Sequence, residues 1–582
     1  MLLFAMSVLI GSFFFLLIYG TTPLHVSNDS WIMAAIDEDD IVQHYAGWLM
    51  YRNSDWTFPL GMIPDMARGT GTSISYTDSI PLAAILFKII FRITGYSGAF
   101  QYFGLFTLLC FILQCYGAGL LIKRKTKNLF VIALGMALFV TAPPLLDRSL
   151  RHTALGAQFL VLFAIHEYFR IRDRGYENFA WKFMLLGCLS VGIHPYFLPM
   201  VMIFSFLTMV EGIVKAKNVI KHAGQFAAAC ATSLALAWAL GVFESSGDFE
   251  RSGFGYYSMN ILAAINPNGG VDYHWSKLLP AIPIVKGNYE GFNYLGAGVI
   301  LLWAAVLACL AVQKIAGSGS MSGRAKNVDI AENVRMSGST KTADSAENEL
   351  TFSEQSIPVS PASANGLLRN NLGYILAMAF MTLFSLSNIV TFADKILFTV
   401  PLPEWFTNLC GIYQTSGRMF YPVFYSIYIL GIYMLCRLFK NKKALCIGAL
   451  LVITALQLFD LSDVFAKKHS DMAQAAFCMS LIDDPTLEEM AEGCDFIVGT
   501  EKFRDVCVFA GLHNMATSFS ASTGGYWDAA YEIRDSYLED LRNGIHDGHT
   551  MFVTKSWTWA HEWLDANPDM TLYQYGDKYY LR

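Results

Sequence analysis

LLFAMSVLIGSFFFLLIYG, residues 2–20, decides the class of this protein, because it carries no charged residue over a length that crosses a bilayer. The segment lacks the charged leading region and the small-residue cleavage site of a signal peptide, so we interpret it as a retained first helix. The rest of the chain is also apolar, since 54% of the 582 residues are hydrophobic and 15% are charged. The sequence therefore predicts a polytopic membrane protein.

Four basic clusters indicate how the other apolar runs are oriented across the membrane. They are KRKTK (123–127), RIRDR (170–174), KAKNVIK (215–221) and RLFKNKK (437–443), and the positive-inside rule places such clusters in the cytoplasm. With all four there, the fold is a mainly α membrane helix bundle of about 11 transmembrane helices, with the N-terminus cytoplasmic and the C-terminal end outside. The predicted spans are 2–20, 100–122, 129–146, 153–169, two within 180–214 that are broken at His194-Pro195, 220–243, 294–312, 372–392, 420–436 and 444–461.

Two segments between the spans have their own character. In the first outer loop, 21–99, the run SIPLAAILFKIIFRI (79–93) is short and carries Lys88 and Arg92, which favours a helix lying in the membrane interface. The alternative is an ordinary span that breaks the charge rule. The stretch GSGSMSGRAKNVDIAENVRMSGSTKTADSAENE has few apolar and no aromatic residues, so 314–366 is predicted to be a disordered cytoplasmic linker.

The sequence predicts two domains. Residues 1–461 form the transmembrane domain, and 462–582 form a small extracytoplasmic α/β domain, as indicated by alternating patterns such as DFIVGT and DVCVFAG. An extracytoplasmic location would also allow a disulfide between Cys494 and Cys507.

Four consecutive acids, DEDD (37–40), lie in the first outer loop. In a helix that starts there, Asp40, His44 and Trp48 share one face. Acids at a helix start suit its dipole, so one interpretation is structural. The other is chemical, because carboxylates near a bilayer surface can serve as a general base or bind a divalent cation. If a metal binds, its candidate ligands are Asp39, Asp40 and His44.

Other charged residues are predicted at the same membrane depth. They are Asp78, Asp147, Arg148, Arg151, His152, His194 and Arg418. Acids and arginines at one depth favour a site for a phosphorylated lipid, because the guanidinium fork matches phosphate oxygens. The alternatives are headgroup anchoring for the arginines and packing or capping for the histidines. A net charge of −6 without a long basic stretch argues against nucleic acid as a partner.

Motifs spread over residues 37–440 carry a family resemblance. They are D-x-x-Q-H-Y-x-G-W-x-x-x-R-N-S-x-W-x-F-P-L-G from Asp40, S-Y-T-D-S-I-P-L, F-Q-Y-F-G-L, H-P-Y-F-L, G-F-N-Y-L-G-A-G and S-G-R-M-F-Y-P. These motifs resemble an uncharacterised bacterial membrane-protein family that is grouped with the GT-C superfamily of integral membrane glycosyltransferases. The layout is similar too, with a first helix, a large outer loop that has acids near its start, and an interfacial segment before the second span.

The resemblance implies a glycosyltransferase in the bacterial inner or plasma membrane. It would move a sugar from a polyprenyl-phosphate-linked donor to a glycan, lipid or protein acceptor outside, by inverting displacement. The implied base is Asp40 or Asp39, and Arg418 with Arg148 or Arg151 would bind the donor phosphate. The supporting residues expected around them are Asp37, His44, Asp78, His152 and His194. Membrane lipids surround such an enzyme, and use of a divalent metal cation stays open.

Two other functions fit the same sequence. A transporter or flippase of lipid-linked sugars would carry polar residues at mid-membrane depth, whereas the charged groups here cluster at predicted span ends. A non-catalytic scaffold for envelope assembly would work through the C-terminal domain and would tolerate loss of Asp40 and Arg418.

Overall fold

The computed structural model describes residues 1–35, 40–244, 253–270, 273–321, 370–476, 485–522 and 528–582. Three of the four consecutive acids, Asp37, Glu38 and Asp39, lie outside the described residues, and so does the predicted linker from 322 onward. The described chain is mainly helical. Its helices are α1 (Leu2–Tyr19), α2 (Ser30–Met33), α3 (Ile41–Asn53), α4 (Pro81–Thr94), α5 (Phe103–Lys123), α6 (Leu129–Val140), α7 (Pro143–Arg148), α8 (Phe159–Asp173), α9 (Ala180–Ile193), α10 (Phe197–Ala216), α11 (Val219–Ala239), α12 (Ala297–Met321), α13 (Leu372–Leu386), α14 (Glu404–Cys410), α15 (Tyr421–Leu438), α16 (Lys443–Asp460), α17 (Ser462–Ala475), α18 (Pro485–Ala491), α19 (Arg504–Leu512), α20 (Asp528–Arg542) and α21 (Trp557–Ala566).

Nine strands complete the described secondary structure. They are β1 (Met62–Ile63), β2 (Thr72–Ser73), β3 (Ile389–Phe392), β4 (Lys395–Thr399), β5 (Phe496–Gly499), β6 (Ala516–Thr517), β7 (Thr550–Thr554), β8 (Leu572–Tyr575) and β9 (Lys578–Leu581). Short 3₁₀ turns lie at Thr22–Leu24, Thr153–Gly156, Asn288–Gly291, Gly411–Tyr413 and Ser416–Phe420.

Six helical segments of the described chain are long and apolar enough to cross a membrane. They are Leu2–Tyr19, Phe103–Lys123, Thr153–Asp173, Phe197–Ala216, Ser416–Leu438 and Lys443–Asp460. Four further apolar helices, in α6, α9, α12 and α13, have 10–17 residues. Each predicted span therefore contains a helix, but the count of about eleven spans is not confirmed, because a helix must reach about 20 residues to cross the hydrocarbon layer unaided. The predicted break at His194-Pro195 is present, since α9 ends at Ile193 and α10 begins at Phe197.

The predicted helix at 79–93 is present as α4. Its 14 residues span about 21 Å, less than the thickness of a bilayer core. Lys88 does not reach outward from it as predicted, because its side chain is buried with the ammonium 4.1 Å from the ring centroid of Tyr51 and 4.5 Å from that of Trp56. These cation–π contacts compensate the burial of the charge. The opposite side of α4 exposes the apolar side chains of Leu86, Ile89, Ile90 and Ile93. This exposure is compatible with a helix in the membrane interface, and that location stays a prediction.

The C-terminal region contains strands, and the pattern DFIVGT contains β5, but the pattern DVCVFAG (505–511) lies in helix α19 and not in a strand. The alternation of DVCVFAG was therefore misleading, because residues 506–511 are buried as part of a helix. Five strands form one sheet in the order β6-β5-β7-β9-β8, in which β5 is parallel to β6 and β7 while β9 is antiparallel to β7 and β8. Phe496, Phe552 and Trp563 lie in its apolar core. Cys494 and Cys507 are free thiols, so the disulfide that the sequence allowed is not formed. The helix before this region, α17, belongs to the helical bundle, since His469 contacts the carbonyl oxygen of Leu17 in α1 at 3.1 Å.

Helix α12 continues to Met321, beyond the predicted start of the linker at 314.

Helix α3, in the loop 21–99, is buried on all sides, from Ile41 to Arg52. Helix α19 of the C-terminal region packs on the side of α3 that carries Leu49. Close packing there depends on glycine, since a Cβ at Gly511 would lie 2.7 Å from the Cβ of Leu49. Trp48 donates from its indole nitrogen to the carbonyl of Phe100 at 2.8 Å. The helix is therefore a structural centre of the protein and not a surface element.

A second close approach fixes α3 against the loop that precedes α4. A Cβ at Gly47 would lie 2.1 Å from Thr77 Oγ1 and 2.5 Å from Ser79 Oγ. We therefore expect Gly47→Ala to lower the stability of the detergent-solubilised protein by about 1–3 kcal/mol, the usual cost of overpacking. Thermal unfolding measures the change. The control is Gly448→Ala in α16, where nothing lies within 4 Å of the added Cβ. Equal stability of the two variants would contradict this packing.

Candidate functional site

Two acids and three histidines from distant parts of the chain meet beside α3. Asp40 and His44 come from α3 and the residue before it, and Asp78 comes from the loop before α4. His152 follows α7, and His194 lies at the junction of α9 and α10. Apart from Asp40, these side chains are mostly buried, so their charges and hydrogen bonds act on one another with little screening by water.

Asp40 is the accessible carboxylate of this cluster. Its Oδ2 lies 3.4 Å from Nδ1 of His152 and its Oδ1 lies 3.1 Å from the guanidinium of Arg504, while 45% of its side chain is exposed. Burial of part of the group raises the pKa of Asp40, but its interactions with His152 and then with Arg504 outweigh that effect and hold the pKa well below its usual range. Asp40 is therefore an ionised carboxylate at neutral pH.

Asp78 lies between two histidines in an unusual backbone conformation. Its φ is 55°, in the left-handed region that Asp tolerates better than most residues. Its Oδ1 is 3.3 Å from Nε2 of His194 and its Oδ2 is 3.7 Å from Nε2 of His152. Ser79 holds the loop in place by donating to the carbonyl oxygen of His44 at 2.7 Å. Burial raises the pKa of Asp78, but the neighbouring imidazoles, His194 above all, lower it to about 2.

The three imidazoles form a row. Ring centroids are 5.1 Å apart for His44 and His152 and 5.6 Å apart for His152 and His194. Burial, reinforced by the neighbouring imidazole of His152, lowers the pKa of His44 to about 3, so the His44 imidazole is neutral. His194 accepts the backbone N–H of Tyr196 at Nδ1, at 3.2 Å. The neutral form of His194 therefore carries its proton on Nε2, which faces Asp78.

Three of these residues could hold a metal ion. His44, Asp78 and His152 each offer one ligand atom, and these atoms lie within 4.8 Å of one another. The sequence predicted His44 with Asp40 and Asp39 instead. Asp40 lies on the Nδ1 side of His152, away from this group, and Asp39 is outside the described residues.

A second cluster next to the histidines contains three arginines and two acids. Glu290 Oε2 accepts from the guanidiniums of Arg418, at 2.7 and 3.1 Å, and of Arg148, at 3.0 Å. Asp147 pairs with Arg148 at 3.1 Å and with Arg151 at 3.5 Å. Burial raises the pKa of Glu290, but Arg148 and Arg418 hold it well below its usual range. The cluster thus keeps an excess of one positive charge.

The arginines differ in accessibility. The side chains of Arg148 and Arg418 are 4% and 8% exposed and are held by Glu290, whereas 26% of the side chain of Arg151 is exposed. An anion arriving from solvent therefore meets Arg151 first. The sequence-based prediction named Arg418 as the main phosphate-binding arginine, but Arg418 is much less accessible than Arg151.

The two clusters form one connected site. The backbone N–H of His152 donates to the carbonyl of Arg148 at 2.9 Å, and the guanidinium carbon of Arg418 lies 4.9 Å from the ring centroid of Tyr196, next to His194. The structure thus brings together all the predicted site residues that it describes. They are Asp40, His44, Asp78, Arg148, Arg151, His152, His194 and Arg418. The two others, Asp37 and Asp39, lie outside the described residues.

Sequence reasoning missed two charged members of the site. Glu290 directly precedes the G-F-N-Y-L-G-A-G motif. Buried arginines need a carboxylate partner, and this requirement could have identified Glu290. Arg504 had no such signal, because its contact with Asp40 depends on how α19 docks against α3.

Glu290 is the shared partner of two buried cations, so its charge is needed for the site to hold together. We expect Glu290→Gln to destabilise the protein by about 3–5 kcal/mol, because removing one partner of a buried ion pair leaves the other uncompensated. Thermal unfolding in detergent measures this loss. Glu404→Gln, at an exposed position in α14, is the matched control and should change stability by less than about 0.5 kcal/mol. An equally small change for Glu290→Gln would refute the pairing.

Comparison with known proteins adds a family but no activity. No curated protein sequence matches the chain. A family model described as "Domain of unknown function (DUF6311)" matches residues 8–327 and 356–462. The matched residues include all the site residues from Asp40 to Arg418, and they end before the C-terminal sheet and before Arg504. Since they make up more than half of the chain, the protein belongs to the DUF6311 family.

Proposed function

We propose that this membrane protein is a glycosyltransferase of the GT-C type. It would transfer a sugar from a polyprenyl-phosphate-linked donor to a hydroxyl of an extracytoplasmic glycan, lipid or protein. The observation that carries the proposal is the meeting of an ionised, accessible carboxylate, Asp40, with an arginine-rich cluster of net positive charge in one largely buried site. Sugar transfer from a phosphate needs these two functions, a base for the acceptor and a cationic environment for the leaving group.

Asp40 is the residue best suited to be the base. Its side chain is 45% exposed, compared with 19% for Asp78, 12% for Glu290 and 6% for Asp147. An acceptor hydroxyl can therefore reach Asp40 more readily than the other acids. In the reaction, the acceptor oxygen forms a bond to the anomeric carbon while its proton passes to Asp40. The bond from the anomeric carbon to the phosphate oxygen breaks, and the configuration inverts because no protein nucleophile takes part.

The arginine cluster would bind the donor phosphate. The breaking bond leaves its electron pair on the phosphate oxygen, so negative charge grows on the leaving group during the reaction. Arg151 is the most accessible of the three arginines, and its guanidinium fork can donate two hydrogen bonds to phosphate oxygens. Arg148 and Arg418 add positive potential from their buried positions on Glu290. The low exposure of the cluster strengthens this stabilisation.

Arg504 gives the C-terminal domain a role in this reaction. It contacts Asp40 Oδ1 from α19, on the side of the carboxylate opposite His152. The two contacts fix the carboxylate from both oxygens, which positions a base for reaction. The C-terminal domain would thus complete the site from outside the membrane.

The first experiment compares envelope glycans in a strain that lacks the gene. Wild-type protein should restore a missing sugar, and Asp40→Asn at the same membrane level should not, because an amide cannot accept the proton. Asp55→Asn is the matched control in the same outer loop, since its side chain is 96% exposed and 3.6 Å from Arg92. Full restoration by Asp40→Asn would overturn the assignment of the base and favour a transporter or a scaffold.

The proposed reaction also requires the site to face outward. Asp55 lies in the first outer loop and Lys125 lies in a basic cluster, and both are exposed. In intact cells, we expect Asp55→Cys to react with a membrane-impermeant maleimide and Lys125→Cys to react only after permeabilisation. Labelling is measured relative to the parent chain, which has its own 11 cysteines. The opposite pattern would place the site in the cytoplasm and exclude an extracytoplasmic acceptor.

A further inference from the structure

The ligand atoms of His44, Asp78 and His152 have a spacing close to that of a metal site. All three atoms lie within 4.8 Å of one another, and Nε2 of His152 is 3.7 Å from Oδ2 of Asp78. In a tetrahedral site with bonds of about 2.0–2.2 Å, ligand atoms lie about 3.4 Å apart. An ion bound here would draw these ligand atoms closer together by rotation of the side chains.

The hydrogen bonding of the two histidines is incomplete. His44 is fully buried, and neither of its ring nitrogens has a hydrogen-bond partner among the described residues. His152 is 5% exposed, and its ring nitrogens also form no hydrogen bond of good geometry, although carboxylate oxygens lie 3.4 and 3.7 Å away. Buried imidazole nitrogens normally have partners, since an unpaired buried polar group is costly. One cation bound to both rings would satisfy a nitrogen of each.

The surrounding contacts orient the three ligands in the manner of a metal site. Nδ1 of His152 faces Asp40, which leaves Nε2 directed to Asp78. His194 has its Nδ1 occupied by the N–H of Tyr196 and turns Nε2 to Oδ1 of Asp78, which leaves Oδ2 for the ion. A carboxylate behind a ligating histidine, and a donor behind a ligating carboxylate, are the outer contacts that fix metal ligands in proteins.

We propose that His44, Asp78 and His152 bind one divalent transition-metal ion of the zinc class. Two imidazoles and one carboxylate favour such an ion over Mg²⁺ or Ca²⁺, which prefer oxygen ligands. The charges of Asp78 and of nearby Asp40 balance the two positive charges of the ion. The site is distinct from the set predicted from the sequence, which contained Asp39 and Asp40. The proposal concerns binding and does not depend on the transfer reaction.

The test measures metal binding by the full-length protein in detergent, purified without a metal-affinity column. We expect about one Zn²⁺ per chain to remain after dialysis against excess Mg²⁺, and Co²⁺ to give a visible absorption band when it replaces Zn²⁺. His44→Gln and His152→Gln should weaken Co²⁺ binding by more than about 100-fold. Asp40→Asn should weaken it by about 10–100-fold, as is usual for a partner behind a ligand.

His222→Gln is the matched control. His222 is a buried histidine on α11, 2% exposed, with an unpartnered Nδ1, and its replacement should leave Co²⁺ binding unchanged. If His44→Gln does not elute as a monodisperse protein, His152→Gln and the Zn²⁺-dependent rise of the wild-type unfolding temperature serve instead. Failure of the wild type to bind Zn²⁺ or Co²⁺, equal binding by the histidine variants, or equal competition by Mg²⁺ would overturn the proposal. Since the assay contains no sugar donor, its result is separate from that of the glycan experiment.

Discussion

The contact between α3 and the loop before α4 determines the geometry of the whole site. Gly47 has no side chain, so Thr77 and Ser79 can pack directly on the helix backbone, and Ser79 bonds to the carbonyl of His44. This contact brings Asp78 next to the imidazoles of His152 and His194. The left-handed backbone at Asp78 and at Ile80, where φ is 55° in both cases, shows how tightly the loop is constrained. Ile80 is β-branched, and such residues rarely adopt the left-handed conformation, so the surrounding packing must impose it.

The electrostatics of the site follow from the same burial. Charges removed from water need partners, and each charged cluster has nearly equal numbers of acids and bases. Glu290 joins two guanidiniums, Asp147 joins two, and Asp78 lies between two imidazoles. Asp40 differs because one oxygen is held by a residue of the C-terminal domain, Arg504, and a large part of its side chain meets solvent. A balanced interior with one exposed acid is an arrangement that suits reaction with a molecule arriving from solvent.

The transferase and metal proposals use neighbouring groups without requiring each other. The proposed sugar transfer would depend on Asp40 and the arginine cluster, whereas the proposed metal binding would depend on the imidazoles of His44 and His152 and on Asp78. His152 belongs to both, because one ring nitrogen faces Asp40 and the other faces Asp78. An ion on the Nε2 side would favour a proton on Nδ1 of His152 and so strengthen its contact with the base. Membership in the DUF6311 family leaves the activity open, and the arrangement of these side chains is what supports both proposals.

The sequence by itself indicated the membrane class, the helices and the charged residues that gather into one site. Uncharged runs such as residues 2–20 have no stable place in water, and arginines and histidines at the ends of such runs are expected near a membrane surface. That reasoning was enough to select eight side chains that meet in the structure. It could not give the number of spans, because several apolar helices are shorter than the bilayer is thick. Only the tertiary structure showed that Glu290 holds Arg148 and Arg418, that Arg504 reaches Asp40, and that Asp78 rather than Asp40 joins His44 and His152 in a group of metal-ligand spacing. These pairings join residues far apart in the chain, and their geometry is set by how the helices pack, which no local pattern of residues records.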